Sequence, residues 1–203
     1  MANTIRSEDV AGHAAFRHLS SIAGIAVDLR YAGPDNFVGR DLYSPLDCAW
    51  LHRDAAAAIE RVVAWLAQHA PGHQALLLDA LRPHRVQEEL WEALDGTSLQ
   101  MYLAPPERGS IHSFGMAVDI TLLGPSGQEL DMGTAFDDMT ELSHPALEAR
   151  HLASGELSAA QAANRRLLRD AMVQAGFTGI KTEWWHFDCG DRVAVRRDYT
   201  RVL

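Results

Sequence analysis

Cysteine is scarce in this sequence, which contains only Cys48 and Cys189 among its 203 residues. Two cysteines cannot form a disulfide framework, and neither belongs to a CxxC pair of the kind that binds metals or exchanges disulfides. We therefore expect both to be buried free thiols. Hydrophobic residues make up 47% of the chain, which is enough for one sizeable core. The length indicates that residues 1–203 form a single domain.

Basic residues and long apolar runs are also lacking. Only 18 lysines and arginines stand against 27 acidic residues, and they form no cluster, which argues against nucleic acid or an anionic membrane as a partner. No apolar run approaches the roughly 20 residues that a membrane-spanning helix needs. The first ten residues, MANTIRSEDV, lack the apolar centre of a secretory signal, which predicts a cytoplasmic enzyme. The oligomeric state stays open.

Hydrophobic patterns predict both strands and helices, without the regular alternation of a parallel βαβ fold. Strands are predicted where apolar residues alternate or form short runs, at residues 22–32, 75–80, 116–123 and 183–188. Helices are predicted at residues 54–70 and 86–94, and at residues 164–175 after a capping box of Ser158 and Gln161. This mixture predicts an α+β fold rather than a doubly wound sheet.

The segment SIHSFGMAVD, residues 110–119, places an acid inside an apolar strand. On that strand, Asp119 and its two apolar neighbours point to opposite faces. An unpaired buried carboxylate is costly, so Asp119 needs a cation or several hydrogen-bond donors, and a structural salt bridge would serve as well as a metal. His112 lies in the loop before the strand, where Gly115 can bend the chain back toward Asp119.

The segment EWWHFD, residues 183–188, carries a second histidine beside two tryptophans. Taken alone, His186 would be explained as a core histidine satisfied by ordinary hydrogen bonds. In a regular strand, Glu183 and His186 point to opposite faces. For both to serve one site, the backbone must bulge, bend or begin its strand between them.

Together these residues match a catalytic metal site. Two histidines and one carboxylate, here His112, His186 and Asp119, are a known zinc-binding set that leaves one position for water. A glutamate beside a ligand, here Glu183, can take a proton from that water and pass it to a leaving amine. Arg82 ends a predicted core strand and can point into a cleft, where it would stabilise an oxyanion or clamp a carboxylate. A surface salt bridge is the simpler explanation for Arg82 alone.

The motifs SIHSFGMAVD and EWWH resemble those of the zinc D-alanyl-D-alanine dipeptidases of the VanX type. Further similar segments are DLRYAGPDNFVG at 28–39, LLLDALRP at 76–83, MGTAFDDMTELSH at 132–144 and NRRLLRDAMVQAGF at 164–177. The resemblance implies a single α+β domain with a central, mostly antiparallel sheet flanked by helices, in a D,D-peptidase or hedgehog-like fold. It also implies a small, closed cavity that admits dipeptides and excludes longer peptides.

The resemblance implies a catalytic role for each matching residue. His112, Asp119 and His186 would bind one zinc ion per chain. Glu183 would be the general base and then the general acid. Arg82 would stabilise the transition state.

The resemblance also implies substrate contacts. Asp137 would meet the free ammonium group of the dipeptide, with Asp138 as an adjacent rival, and Ser110 and Tyr31 would contact the substrate. The sequence departs from the family at Phe114, where an arginine usually precedes the glycine of the first motif. That departure leaves the metal ligands intact and puts the choice of dipeptide in doubt.

The expected reaction is hydrolysis of D-Ala-D-Ala, or a closely related small dipeptide, by attack of zinc-activated water. Two alternatives remain open at this point. A D,D- or L,D-carboxypeptidase acting on longer cell-wall peptides would need an open groove and normally an export signal. A non-catalytic zinc-binding module would be expected to have lost Glu183 or Arg82, and both are present.

Overall fold

The structure, a computed structural model, describes residues 3–203. Within this range the strands are β1 (Thr4–Ile5), β2 (Phe16–His18), β3 (Ile25–Val27), β4 (Trp50–His52), β5 (Gln74–Asp79), β6 (Ala117–Leu123), β7 (Phe177–Gly179), β8 (His186–Cys189) and β9 (Arg201–Val202). The helices are α1 (Arg53–His69), α2 (His84–Ala93), α3 (Glu148–Ser154), α4 (Ala159–Gln174) and α5 (Arg192–Asp198). The predicted α+β class is confirmed.

The central sheet has the strand order β3–β5–β6–β8–β7. Strands β3 and β5 are parallel, whereas the other three pairings are antiparallel. The sheet is therefore mixed, which corrects the prediction of a mostly antiparallel sheet. A parallel pair needs a long crossover connection, and the segment between β3 and β5, which contains α1, provides it.

One face of this sheet carries the main hydrophobic core. Val118 and Ile120 of β6 are buried there together with Ile59 of α1 and Leu168 of α4. The apolar stripes of the two amphipathic helices thus cover this face. Because side chains alternate along a strand, Asp119 points to the opposite face, as predicted.

The predicted helices are present, with some different boundaries. Helix α4 begins at Ala159 rather than at residue 164, directly after Ser158, the N-cap of the predicted capping box. Ser158 Oγ accepts from the Gln161 backbone N–H at 3.1 Å, and Gln161 Oε1 accepts from the Ser158 N–H at 2.8 Å. The cap therefore sets the start of the helix, and the alanines that follow it favour helical backbone.

Two predicted strands are shorter in the structure. The first pairs only over Ile25–Val27, and Tyr31 lies in a 3-10 turn at Arg30–Ala32. Tyr31 is buried by packing in a second hydrophobic cluster with Tyr43 and Val86, so its apolar periodicity reflects burial rather than strand pairing. The last strand begins at His186, after Glu183.

Both cysteines are buried and free, as predicted. Within residues 3–203, the structure contains no helix with the length and apolar character required to span a membrane.

Candidate active site

His112 is presented by a tight turn before β6. The turn spans Ile111–Phe114 and begins with Ser110, whose Oγ accepts from the His112 backbone N–H at 3.3 Å. Gly115 ends the turn with a φ of 63°, a conformation that favours glycine. A Cβ at Gly115 would lie 2.7 Å from the backbone nitrogen of His52, so the close packing also requires glycine there.

Asp119 and His186 are directly opposite each other on the antiparallel strands β6 and β8. Cross-strand neighbours share a face, so both side chains point away from the main core. Asp119 Oδ1 lies 3.0 Å from His186 Nδ1 and 3.4 Å from His112 Nε2. The two ring nitrogens lie 3.2 Å apart. The structure therefore brings together all three of the predicted metal ligands.

The hydrogen bonds of the second ring nitrogen in His112 and in His186 determine which nitrogen of each ring is free to bind a metal. His112 Nδ1 lies 2.9 Å from the carbonyl oxygen of Ala80, and His186 Nε2 lies 3.1 Å from Asp188 Oδ1. Both partners are acceptors, so these nitrogens carry the protons. His112 Nε2 and His186 Nδ1 are then left with lone pairs that point at each other and at Asp119.

A metal ion fits this arrangement. A proton can join two of the three facing atoms, whereas a metal ion satisfies all three. Tetrahedral coordination at the usual bond lengths separates neighbouring ligand atoms by about 3.3–3.6 Å. The observed separations of 3.0, 3.2 and 3.4 Å are close to that range. The carboxylate of Asp188 behind His186 is a typical outer partner of a metal-binding histidine.

Glu183 reaches the same site from the segment just before β8. Its Oε2 lies 4.0 Å from His186 Nδ1. Trp184 and Trp185 are buried next to it, and Trp184 Nε1 donates to Thr134 Oγ1 at 2.8 Å. The strand begins only at His186, which removes the constraint that would have pointed Glu183 to the other face. Burial raises the pKa of the Glu183 carboxyl to about 7.

Arg82 is buried and held by acidic and amide groups. Its Nε and Nη2 donate to Asp79 Oδ2 at 2.9 and 2.6 Å, and Nη2 also donates to Asp119 Oδ2 at 3.2 Å. Its Nη1 donates to Gln87 Oε1 at 3.2 Å. These four contacts leave one of the five guanidinium N–H groups without a partner among residues 3–203. Arg82 lines the cavity in front of the ligands; a surface salt bridge is therefore ruled out as its explanation.

Asp137 lies in the same cavity as His112, Asp119 and His186. Its Oδ1 accepts from the Tyr31 hydroxyl at 3.2 Å, and its Oδ2 is buried without a partner among residues 3–203. Burial first, and then the charge of Asp119, raise the pKa of Asp137 well above its usual range. Asp137 also has a φ of 60°, which is unusual for a residue other than glycine. Such backbone strain is concentrated at functional sites.

The cavity encloses about 130 Å³, and all eight residues predicted for catalytic, metal-binding or substrate-binding roles line it. Its lining includes the substrate-contact candidates Tyr31, Ser110 and Asp137, while Asp138 is not part of it. Phe114 does not line the cavity either, because its ring is buried in the main hydrophobic core. The departure at Phe114 therefore changes the packing beneath the site rather than a group that faces the substrate.

Several residues that position the site were not predicted from the sequence. Asp79 holds Arg82, and Asp188 holds His186. Each had a signal in the sequence: Asp79 ends the apolar run LLLD, and Asp188 lies two positions after His186, on the same face of β8. Gln87, a buried amide on α2 that contacts Arg82, had no such signal.

The fold and the site first define a class of protein. Two histidines and a carboxylate converge beside a small cavity, with a second carboxylate and an arginine next to them. This is the residue set of a mononuclear metallohydrolase.

Comparison with known proteins narrows the class to a family. Residues 14–203 match peptidase family M15, the D-ala-D-ala dipeptidases, and the chain belongs to this family. It is 38% identical over 164 residues to the D-alanyl-D-alanine dipeptidase of Escherichia coli (strain K12), covering 81% of this chain and 78% of that protein. The D-alanyl-D-alanine dipeptidase of Enterococcus faecalis (strain ATCC 700802 / V583) is 32% identical over 183 residues, covering 81% and 85% of the two chains. The Enterococcus faecium enzyme of the same name is 31% identical over 190 residues, covering 82% and 86%.

These matches confirm the resemblance drawn from the two motifs. The protein is a peptidase, and relatives named for the same dipeptidase activity occur in several bacterial species.

Proposed function

We propose that this protein is a zinc-dependent dipeptidase that hydrolyses D-Ala-D-Ala or a closely related small dipeptide. The observation that supports this most directly is the content of one small cavity. It holds the His112, Asp119 and His186 cluster together with the unpartnered carboxylate oxygen of Asp137. A metal site for peptide-bond hydrolysis and a counter-charge for a free amino terminus are thus within reach of one short substrate.

Zinc is the metal that we propose, at one ion per chain. Two imidazole nitrogens and one carboxylate are a common donor set of catalytic zinc, although cobalt or iron would also accept it. When bound, zinc would act as a Lewis acid that polarises the scissile carbonyl and acidifies water.

Glu183 is proposed to move the protons of the reaction. Its carboxylate would take a proton from the attacking water and then give a proton to the leaving amine. The support for this role is its position, since Oε2 lies 4.0 Å from a ligand atom of His186 and the side chain is only 12% exposed.

Arg82 is proposed to stabilise the negative charge that develops on the carbonyl oxygen. Arg82 lines the cavity with one N–H group left over, while its other donors are occupied by Asp79, Asp119 and Gln87. A donor held by so many contacts is already oriented before substrate binds, which is how such groups contribute most to catalysis.

Asp137 and Tyr31 are proposed to bind the ammonium group of the dipeptide. The free Oδ2 of Asp137 offers an ionic hydrogen bond, and the Tyr31 hydroxyl holds the other oxygen in place. Ser110, whose oxygen already accepts from the His112 N–H, would donate its hydroxyl hydrogen to an oxygen atom of the dipeptide rather than contact the ammonium group. An acylated or longer peptide has no ammonium group there and would leave the Asp137 carboxylate unsatisfied.

A substrate panel tests this function. The purified zinc-loaded enzyme is assayed with L,L, D,L, L,D and D,D forms of Ala-Ala, with N-acetyl-D-Ala-D-Ala and with a pentapeptide ending in D-Ala-D-Ala. We expect the free D,D dipeptide to have the highest kcat/KM. Equal cleavage of the acetylated dipeptide or the pentapeptide would contradict the dipeptidase and favour a carboxypeptidase.

We also propose that residues 1–203 form one domain with a D,D-peptidase or hedgehog-like fold, and that the enzyme works in the cytoplasm. Limited proteolysis that cuts the chain into two stable halves would contradict the single domain. Cell fractionation tests the location.

A further inference from the structure

Two arginines at the cavity lack acidic partners. Arg108 and Arg196 both line it, and neither has a carboxylate oxygen within 4.0 Å among residues 3–203. The other two arginines of the cavity are paired: Arg82 with Asp79 and Asp119, and Arg192 with Asp188.

Arg196 lies next to Ser110, one of the residues proposed to contact the substrate. Arg196 Nε donates to the carbonyl oxygen of Gly109 at 3.1 Å, and Gly109 directly precedes Ser110. Arg108 lies on the other side of Gly109 in the chain and is exposed. The Arg196 guanidinium is therefore anchored next to Ser110, and Arg108 precedes Ser110 by two positions, whereas Asp137 is anchored beside Tyr31.

Two neighbouring positive charges repel each other, which is unfavourable unless an anion neutralises them. Burial first, and then the neighbouring charges of Arg108 and Arg192, lower the pKa of Arg196. The chain as a whole has a net charge of −9, so this part of the cavity reverses the general sign of the protein. Such a local reversal attracts an anionic group of a ligand.

We propose that Arg196 and Arg108 are the specificity-determining residues that bind the C-terminal carboxylate of the dipeptide. The inference rests on the proposed function, since it assumes a short substrate with two free ends. Such a dipeptide carries one ammonium group and one carboxylate. The cavity offers the unpartnered Oδ2 of Asp137 to the ammonium group, and the arginines without acidic partners to the carboxylate. The planar fork of an arginine suits a carboxylate, to which it can donate two parallel hydrogen bonds.

The test compares two substrates across matched variants. Values of kcat and KM are measured for D-Ala-D-Ala and for its C-terminal amide, in which the carboxylate is replaced by an uncharged carboxamide. The variants are R196Q, R108Q and R196K, and the control is R197Q. Arg197 follows Arg196 on the same helix but is exposed, pairs with Asp198 and does not line the cavity.

We expect the ratio of kcat/KM for the acid to that for the amide to fall by about tenfold or more in R196Q, as for the loss of a charged hydrogen bond. The change should lie mainly in KM. R108Q should lower the ratio less, because its charge is more exposed to solvent. R196K should give a ratio between those of R196Q and the wild type, because lysine keeps the charge but loses the planar fork, while R197Q should keep the wild-type ratio.

Unchanged discrimination in R196Q would overturn the inference. A purely structural role of Arg196, through its bond to Gly109, would lower activity on both substrates equally and leave the ratio as it is. If the wild type cleaves D-Ala-D-Ala and the ratio does not move, only this inference fails. If the wild type cleaves neither substrate, the proposed function fails with it.

Discussion

Arg82 and Asp79 form a buried ion pair at the end of strand β5, next to the cluster of His112, Asp119 and His186. Two guanidinium nitrogens of Arg82 donate to the same carboxylate oxygen, at 2.9 and 2.6 Å. The other oxygen of Asp79 accepts from the Tyr43 hydroxyl and from the Ala80 N–H. Asp79 thereby fixes the direction in which Arg82 points and compensates part of its buried charge.

Replacing Asp79 by Asn should therefore destabilise the protein. The substitution leaves the Arg82 guanidinium buried with less compensation, which typically costs about 3–5 kcal/mol. Urea unfolding followed by circular dichroism measures this loss, and kcat/KM should fall with it because Arg82 loses its orientation.

The control for this variant is D198N, which breaks the Arg197–Asp198 pair on the exposed surface of α5. Exposed ion pairs contribute little, so D198N should unfold at nearly the same urea concentration as the wild type. An unfolding free energy of D79N equal to that of D198N would show that the buried pair does not have the role described.

Asp188 is expected to tune metal affinity through His186. Its Oδ1 lies 3.1 Å from His186 Nε2, the nitrogen that does not face the other ligands. Loss of such an outer partner usually lowers metal affinity about 10- to 100-fold. In D188N, competition with a chromogenic chelator should show this weaker zinc binding, independently of activity.

The matched control removes a histidine–aspartate contact away from the cavity. Asp47 Oδ2 lies 2.9 Å from His18 Nε2, on the exposed side of the protein. D47N should bind zinc like the wild type. Equal zinc affinities of D188N and the wild type would contradict the assignment of Asp188 as a positioning residue.

The sequence was sufficient to predict that His112, Asp119 and His186 form one cluster, because their signals are local. An acid within an apolar strand, as at Asp119, has few explanations, and each histidine lies in a short motif of its own. The conflict between Glu183 and His186 was also visible, since strand alternation alone places them on opposite faces. The structure resolves it by beginning β8 at His186.

Contacts between distant segments could not be predicted in this way. The parallel pairing of β3 with β5 depends on where the chain crosses over, which no local pattern encodes. Tyr31 continues the alternation of apolar residues that predicted a strand, but it is apolar because it is buried in a hydrophobic cluster. Arg196 reaches Gly109 across 87 positions of sequence, so its place beside Ser110 became visible only in three dimensions.

Asp137 should determine whether the enzyme requires a free amino terminus. We expect D137N to lower the preference for D-Ala-D-Ala over N-acetyl-D-Ala-D-Ala by about 10- to 100-fold, as for a lost charged hydrogen bond. Asn is a suitable replacement because it tolerates the left-handed backbone that Asp137 adopts, with its φ of 60°. Steady-state kinetics with the two substrates measures the change.

D138N is the natural control for that experiment, because Asp138 is the neighbouring acid and does not line the cavity. It should keep the preference of the wild type. A larger loss in D138N than in D137N would assign the ammonium contact to Asp138 instead.

We propose that hydrolysis occurs at a metal held by His112, Asp119 and His186, with Glu183 as the base. The most direct test measures zinc content and D-Ala-D-Ala cleavage together in the E183Q variant. We predict one zinc per chain, as in the wild type, and a kcat lower by about 10²- to 10⁴-fold, the usual contribution of a general base. Full zinc occupancy with near wild-type turnover would show that Glu183 is not the base.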